Sequence, residues 1–436
     1  MSATKITEIR PIDVPALARV EGEGGIYIGV KDGKISEVRV NIYEPPRFFE
    51  GFLRGRSLYE VPDITARICG ICPVAYQMSS VNALESSQGV RITPSIRDLR
   101  KLLYCAEYIE SHALHVFFLQ APDLLGQESA ISLASVAPEV VTKALRMKKI
   151  GNTILRLTGG RSVHPVSTTV GGFYRWPEQE GFLALLPELE WSLQAAVESV
   201  RWASTLPYPE LEVETEYVAT RHPKEYGILE GDVASSTGRE IPVTDYEKYY
   251  LEEQVRHSNA LHSRTKEGGS YMVGPLARFN LNHGQLGATA QSMIKELKIQ
   301  FPIRNPFKAL LARTVELVDA YEDAIRLIKE YNPHGPSRIE FKPRAGEGCG
   351  VSEAPRGLLF HKYTVDGQGL IQKARIVPPT AQNFARMEAD LWEFAPKVLD
   401  QPHDKATLAC EHLIRSYDPC ISCATHFVRW ENKDTD

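Results

Sequence analysis

Polar and apolar residues alternate through the first 45 positions, and "GGIYIGVKDGKISEVRVNIYE" breaks its alternation at Asp32–Gly33. That pattern predicts a β-hairpin with a tight turn. After Cys72 the period lengthens. Thr93–Pro94 supplies an N-cap hydroxyl and a proline for the first helical turn. Leu99, Leu102, Leu103, Ala106, Ile109, Ala113 and Val116 then recur at helical spacing, which predicts a long helix with one buried face ending near Pro122. Further helices are predicted over about 138–157, closed by Gly159–Gly160, and over about 185–205, 244–264, 284–299, 306–331, 383–398 and 403–416. The Pro-rich stretch 206–240 reads as irregular. Residues 338–377 return to strands, with "GLLFHKYTVDGQGLIQKARIV" as a hairpin around Asp366–Gly367.

The expected fold class is therefore α+β and mostly helical: a central helix bundle with small N-terminal and late β-sheets. The expected organisation is a β-rich lobe over 1–60, a helical core over 61–335, a hairpin lobe with C-terminal helices over 336–426, and an extension over 427–436.

Composition narrows the function classes. The 436-residue chain is 43% hydrophobic and 24% charged, with a net charge of −5, which gives no support for nucleic-acid binding. Its length suffices for a large core. No apolar run reaches the ~18 residues of a membrane span, and the N-terminus lacks a secretory core. The expectation is a cytoplasmic enzyme.

The chemistry lies in the cysteines. Four of the seven form two pairs, Cys69–Gly–Ile–Cys72 and Cys420–Ile–Ser–Cys423, near opposite ends of the chain. If the pairs meet, they make a four-thiolate site. One reading is structural zinc, although zinc modules space their pairs by ~10–20 residues because the metal replaces a core. Soft thiolates also select nickel and iron, and redox work suits such a site. Cys105, Cys349 and Cys410 are isolated and read as core thiols. "GEGCG" at 346–350 reads as a loop and not as a nucleotide fingerprint, because no strand-to-helix G-x-G-x-x-G is present.

The strings around the pairs are more specific. Arg67–Ile–Cys69–Gly–Ile–Cys72 and Asp418–Pro–Cys420–Ile–Ser–Cys423–Ala–Thr–His426 resemble the two motifs of the NiFe hydrogenase large subunit. Arg19–Val–Glu21–Gly, Arg47–Phe–Phe–Glu50, Glu110–Ser–His112–Ala–Leu–His115, Gly171–Gly–Phe173 and Glu353–Ala–Pro–Arg356–Gly357 follow in family order, so the resemblance covers nearly the whole chain. It is strongest to the soluble, pyridine-nucleotide-linked branch that includes the archaeal sulfhydrogenases.

The resemblance implies that fold and a set of roles. Nickel would be held by all four thiolates, with Cys69 and Cys420 terminal and Cys72 and Cys423 bridging to an iron that carries carbon monoxide and cyanide. Hydrogen would be split heterolytically, the proton passing to the Cys420 sulfur and then to Glu21; by itself, a glutamate in "VEGEGG" reads as a hairpin-end surface residue. Arg356 would overhang the open position, with Pro355 and Asp418 completing the canopy. Glu50, His426 and the carbonyl of Ile376 would hold a magnesium or other divalent ion. His112 reads either as a core histidine or as a hydrogen-bond partner of a bridging cysteine, and His164 would lie near a subunit interface.

Two departures stand out. Tyr76 replaces a histidine common in relatives, and Ser111 stands where membrane-bound relatives carry aspartate. The resemblance further implies an iron–sulfur small subunit, flavin-containing NAD(P) diaphorase subunits and maturation proteins, including an endopeptidase that removes the tail after His426. The competing readings are a sulfur- or polysulfide-reducing member of the family, and a zinc-stabilised or quinone-module-like non-catalytic subunit.

Overall fold

The computed structural model describes residues 10–425. His426 and the proposed cleavable extension lie outside them. The N-terminal strands are β1 (Ile12–Val14), β2 (Gly24–Lys31) and β3 (Lys34–Ile42), an antiparallel sheet in the order β1-β2-β3. Asp32 (φ 51°) and Gly33 (φ 73°) form the expected turn. Seven long helices follow in the chain: α1 (Pro73–Gln88), α2 (Pro94–Leu114), α3 (Pro138–Gly159), α4 (Leu186–Ser204), α5 (Ala309–Lys329), α6 (Pro379–Phe394) and α7 (His403–Ser416). Helices α2, α3, α4 and α5 pack together as the bundle.

The Thr93 hydroxyl accepts from the Ile96 N–H and caps α2, and Gly160 (φ 82°) closes α3, as the sequence indicates. Two features of α2 differ from expectation. Every predicted core residue on it is buried, His112 included, but so are Arg100, Lys101, Glu107 and Ser111. The helix lies inside the protein on almost all sides, and its charges are matched by distant partners. Arg100 forks onto Glu85 at 2.6 and 2.9 Å, and the Glu107 carboxylate accepts the free N–H groups of Val74 and Ala75 at the start of α1. Nor does Pro122 end the helix directly. A π-helical turn over His115–Gln120 widens the ladder, and a short helix continues through Leu124.

Two other expectations are corrected. The stretch 206–240 contains β4 (Glu216–Arg221) and β5 (Asp232–Ser235), and Glu240–Ile241 forms β6. The predicted helix over 244–264 is instead one short helical turn followed by the hairpin β7 (Tyr250–Gln254) and β8 (Leu261–Thr265). Aromatic stacking decides the outcome. Tyr246, Tyr250, Tyr271 and Phe360 stack in one buried cluster that a continuous helix would break. With β9 (Tyr271–Met272), the sheet order is β9-β4-β5-β6.

The late strands are β10 (Gly346–Ala354), β11 (Gly357–Val365) and β12 (Ile371–Val377), with β11 central. "GEGCG" is thus a strand and not a loop. Its alternate glycines, 346, 348 and 350, face α1, where a Cβ would fall inside van der Waals contact of the Ala83 and Ser87 backbone. The missing side chains let α1, and with it Cys72, seat directly on the sheet. Gly348→Ala should destabilise the fold by about 1–3 kcal/mol through overpacking. A urea midpoint unchanged from the parent would refute this close approach.

Candidate metal centre

Both cysteine pairs lie at helix starts. Cys72 caps α1, and Cys420 caps the short helix Ile421–Ala424. The second turn is aimed by Asp418, a non-glycine residue in the left-handed region (φ 56°). Such a backbone costs about 1 kcal/mol or more and persists where neighbours hold it. Here the Arg356 Nε donates to the Asp418 carbonyl and Nη2 to its Oδ1, both at 2.9 Å. Arg47 ties the two turns together, its guanidinium donating to the carbonyls of Ile68 (2.7 Å) and Ser422. The Cys420 N–H donates to Thr380 Oγ1 at the start of α6, at 3.0 Å.

The result is one buried constellation. Cys69 and Cys420 Sγ are 3.4 Å apart, Cys420 and Cys423 2.8 Å, and Cys72 and Cys423 3.8 Å. All four sulfurs lie within 4.8 Å of one another and are buried. A metal–thiolate bond is about 2.3 Å, so this spacing fits donors around one cation or a closely spaced pair. The electrostatics agree. Hydrogen bonds from Cys420, Cys423 and Cys72 hold the Cys69 thiol well below its ordinary pKa, whereas burial pushes Cys420 well above its own. Without a counter-charge the pocket favours one thiolate over four, and a cation removes that restriction.

Glu21 stands against this centre. The Cys420 thiol donates to Glu21 Oε2 at 3.0 Å, and the Ser422 N–H donates to the same oxygen at 3.1 Å. The backbones are also joined, with Ile421 N–H donating to the Glu21 carbonyl at 2.9 Å. Arg356 is buried close enough to three of the sulfurs to feel their charge. Burial opposes its charge, but Asp418 and the thiolates of Cys420, Cys72 and Cys69 outweigh burial and hold it protonated. Its Nη1 is buried with no partner among the described residues, so a donor is available.

Other sequence-selected residues fall at varying removes. Pro355 gives its carbonyl to Arg278 Nη2 at 3.0 Å. His112 donates from Nε2 to Glu316 Oε2 at 2.8 Å, and so bonds a carboxylate in place of the backbone or cysteine partner expected. Burial, only partly offset by Glu316, lowers its pKa to about 4 and keeps it neutral. Ser111 is buried with its hydroxyl unpartnered among the described residues. Tyr76 lies beside Cys423 and Cys72. Burial and then those thiolates push its phenol well above the usual range. Glu50 accepts the Ile376 N–H at 2.7 Å, which brings those two together; His426 is outside the described residues. His164 donates to the Ala66 carbonyl at 2.8 Å.

Sequence reasoning missed the supports Glu107, Thr380, Arg278 and Glu316, and gave Glu353, the first residue of the Glu353–Ala–Pro–Arg356 string, no role. Arg278 forks onto Glu316 at 2.8 and 2.9 Å, bonds Glu353 at 3.0 Å, and holds the Ala354 carbonyl at 2.9 Å, two residues before Arg356. No local motif marks the first four, because their partners are far away in the chain.

A mostly helical chain whose two ends meet in a buried four-cysteine centre defines a thiolate metalloprotein. The chain belongs to the nickel-dependent hydrogenase family, whose pattern matches residues 47–140 and 267–426. It is similar to sulfhydrogenase 1 subunit alpha of Pyrococcus furiosus, at 34% identity over 96% of this chain and 98% of that one. It is also similar to the NAD-reducing hydrogenase HoxS subunit beta of Cupriavidus necator, at 26% identity over 96% of this chain and 95% of that one. The fold matches a crystal structure of an NAD+-reducing NiFe-hydrogenase in the H2-reduced state with a TM-score of 0.86, at 26% identity, covering 96% of this chain and 99% of that one. It is therefore a large subunit of that family and an oxidoreductase acting on hydrogen. Among the described residues no helix is long and apolar enough to cross a membrane.

Proposed function

We propose that this chain is the catalytic large subunit of a cytoplasmic hydrogenase complex that splits and forms H2 reversibly. A nickel–iron centre, with carbon monoxide and cyanide on iron, would supply the redox-active site at which dihydrogen is cleaved heterolytically. Cys69 and Cys420 would bind nickel alone, and Cys72 and Cys423 would bridge.

The observation that carries the reading is the 3.0 Å contact from Cys420 Sγ to Glu21 Oε2 within the four-sulfur cluster. Cys420 takes the proton at its sulfur, and Glu21 receives it across that hydrogen bond. The Ser422 N–H holds Glu21 in register. Arg356 presents its unpaired Nη1 over the sulfurs as a fixed donor, and Asp418 orients it. Glu50, the Ile376 carbonyl and His426 would bind magnesium or another divalent ion and anchor the C-terminal segment.

Electrons would leave through an iron–sulfur small subunit to flavin-containing NAD(P) diaphorase subunits. The four described thiols of the centre are its only clustered cysteines, so this chain supplies no iron–sulfur site of its own among the described residues. Maturation proteins would load the metals, and an endopeptidase would remove the residues after His426. Infrared spectra of the purified complex should show bands of iron-bound carbon monoxide and cyanide, with about one nickel per chain by metal analysis. Zinc in the thiolate site with no such bands would support the structural-zinc reading instead.

The likeness to a sulfhydrogenase alpha subunit favours a second reading, in which the same complex reduces sulfur or polysulfide. Sulfide production from polysulfide under H2 tests it. A complex that consumes H2 with NAD(P) but yields no sulfide excludes that activity.

A further inference from the structure

A second cluster of metal-ligating side chains lies apart from the cysteines. His257 sits in the turn between β7 and β8, His262 lies on β8, and Glu388 lies on α6, which packs against β8. The ligand atoms of all three fall within 4.8 Å of one another. His257 Nε2 is 2.7 Å from Glu388 Oε1, and His262 Nδ1 is 3.8 Å from Oε2. Adjacent donors on one divalent ion stand roughly 3–3.5 Å apart, given bonds of about 2.0–2.2 Å. Small side-chain rotations therefore convert this arrangement into a coordination set.

The second observation is His262 itself. Its side chain is 0% exposed, and neither ring nitrogen has a hydrogen-bond partner among the described residues. A buried imidazole with no partner is costly. Its ring stacks on Phe384 and meets His257 edge-on, so it is held facing the cluster. Burial, with smaller effects of His257 and Arg264, lowers its pKa to about 3, which keeps a lone pair available. Glu388 is oriented from behind, Oε1 accepting the Val40 N–H at 2.9 Å, the outer support that metal-binding carboxylates receive. His257 and Glu388 are partly exposed, at 21% and 16%, which gives an ion and its waters a way in.

The geometry points to a divalent transition-metal site of two imidazoles and one carboxylate, completed by water, that takes zinc or a similar first-row cation. The ligand set is the kind that suits such ions and not magnesium or calcium, which prefer oxygen. An ion there links β3, the β7–β8 hairpin and α6. Glu388 lies about 12 Å along α6 from Thr380, the residue that receives the Cys420 N–H. The bound ion thereby stiffens the helix that supports the nickel-binding turn, while leaving the four-thiolate centre to its own metals.

The test uses the nickel-loaded complex, titrated with cobalt(II) as a visible probe and then with competing zinc. The parent protein should bind one more cobalt per chain than either Glu388→Gln or His257→Gln, with nickel and iron content equal in all three. His257→Gln should weaken cobalt binding at least tenfold. Zinc should raise the melting temperature of the parent but not of that variant. Equal cobalt uptake and affinity in parent and variants would overturn the site. Should His262→Gln fail to fold, the partly exposed His257 carries the test.

Discussion

Glu21→Gln should lower H2 oxidation and H2 evolution by about 10²- to 10⁴-fold, the range that a positioned acid–base group contributes. The amide keeps the carboxylate's shape and can still accept the Ser422 N–H, which lies 3.1 Å from the native Oε2. It cannot take up the proton that Cys420 Sγ donates across 3.0 Å. Nickel content and melting temperature should therefore match those of the parent while turnover collapses. Glu21→Asp shortens the side chain by one methylene and withdraws the carboxylate from the sulfur. Its activity should fall between the two, with a solvent isotope effect larger than the parent's. Activity of the glutamine variant within threefold of the parent would exclude Glu21 from the proton path.

The largest expected effect on stability is at Arg278. Arg278→Met should cost about 3–5 kcal/mol, because it removes the one guanidinium that hydrogen-bonds both buried carboxyls, Glu316 and Glu353, among the described residues. Burial pushes the Glu316 carboxyl up, but Arg278 and His112 outweigh it and bring the pKa down to about 2. A carboxyl lowered on folding contributes stability above its unfolded value near 4.5, and that contribution is lost as pH falls towards 2. It amounts to about 3 kcal/mol at neutral pH. Glu353 runs the opposite way. Burial raises it to about 7, so its contribution is present below about 4.5 and declines as pH rises through 7. The parent should thus be destabilised by acid below pH 4.5 through Glu316, and Arg278→Met, by raising that carboxyl, should shrink or reverse this acid loss. Urea midpoints between pH 3 and 8 measure both effects. Arg278→Lys should recover little, because an ammonium cannot fork onto one carboxylate while also holding Glu353 and the carbonyls of Ala354 and Pro355. An unfolding free energy for the methionine variant within about 0.5 kcal/mol of the parent would refute the network's role.

The same network shows where sequence reading stops. Arg100, Lys101 and Glu107 occupy positions that helical periodicity assigns to the outer face of α2. They are buried because Glu85, Asp323 and the start of α1 reach them from elsewhere in the chain. Periodicity reports which residues are apolar; it does not report whether a polar residue has found a partner. The β7–β8 hairpin failed for a related reason. Tyr246 and Tyr250 fit helical spacing, but tyrosine favours strands, and the buried stack with Tyr271 and Phe360 holds Tyr250 in one.

The sequence by itself determined the class of fold, most helix boundaries and the thiolate donors of the centre, because turn glycines, capping residues and CxxC pairs act over short distances that local patterns express. It also named Glu21, Arg356, Asp418 and Glu50, through motifs and not through physics. Only the tertiary structure decided that the two cysteine pairs meet, that Glu21 lies 3.0 Å from Cys420, and that Arg356 keeps one buried donor without a partner among the described residues. These are contacts between residues hundreds of positions apart, set by how the sheets and bundle close around the site. The His257–His262–Glu388 cluster belongs wholly to that second kind. Its members carry no shared motif, and packing α6 against β8 is what brings them together.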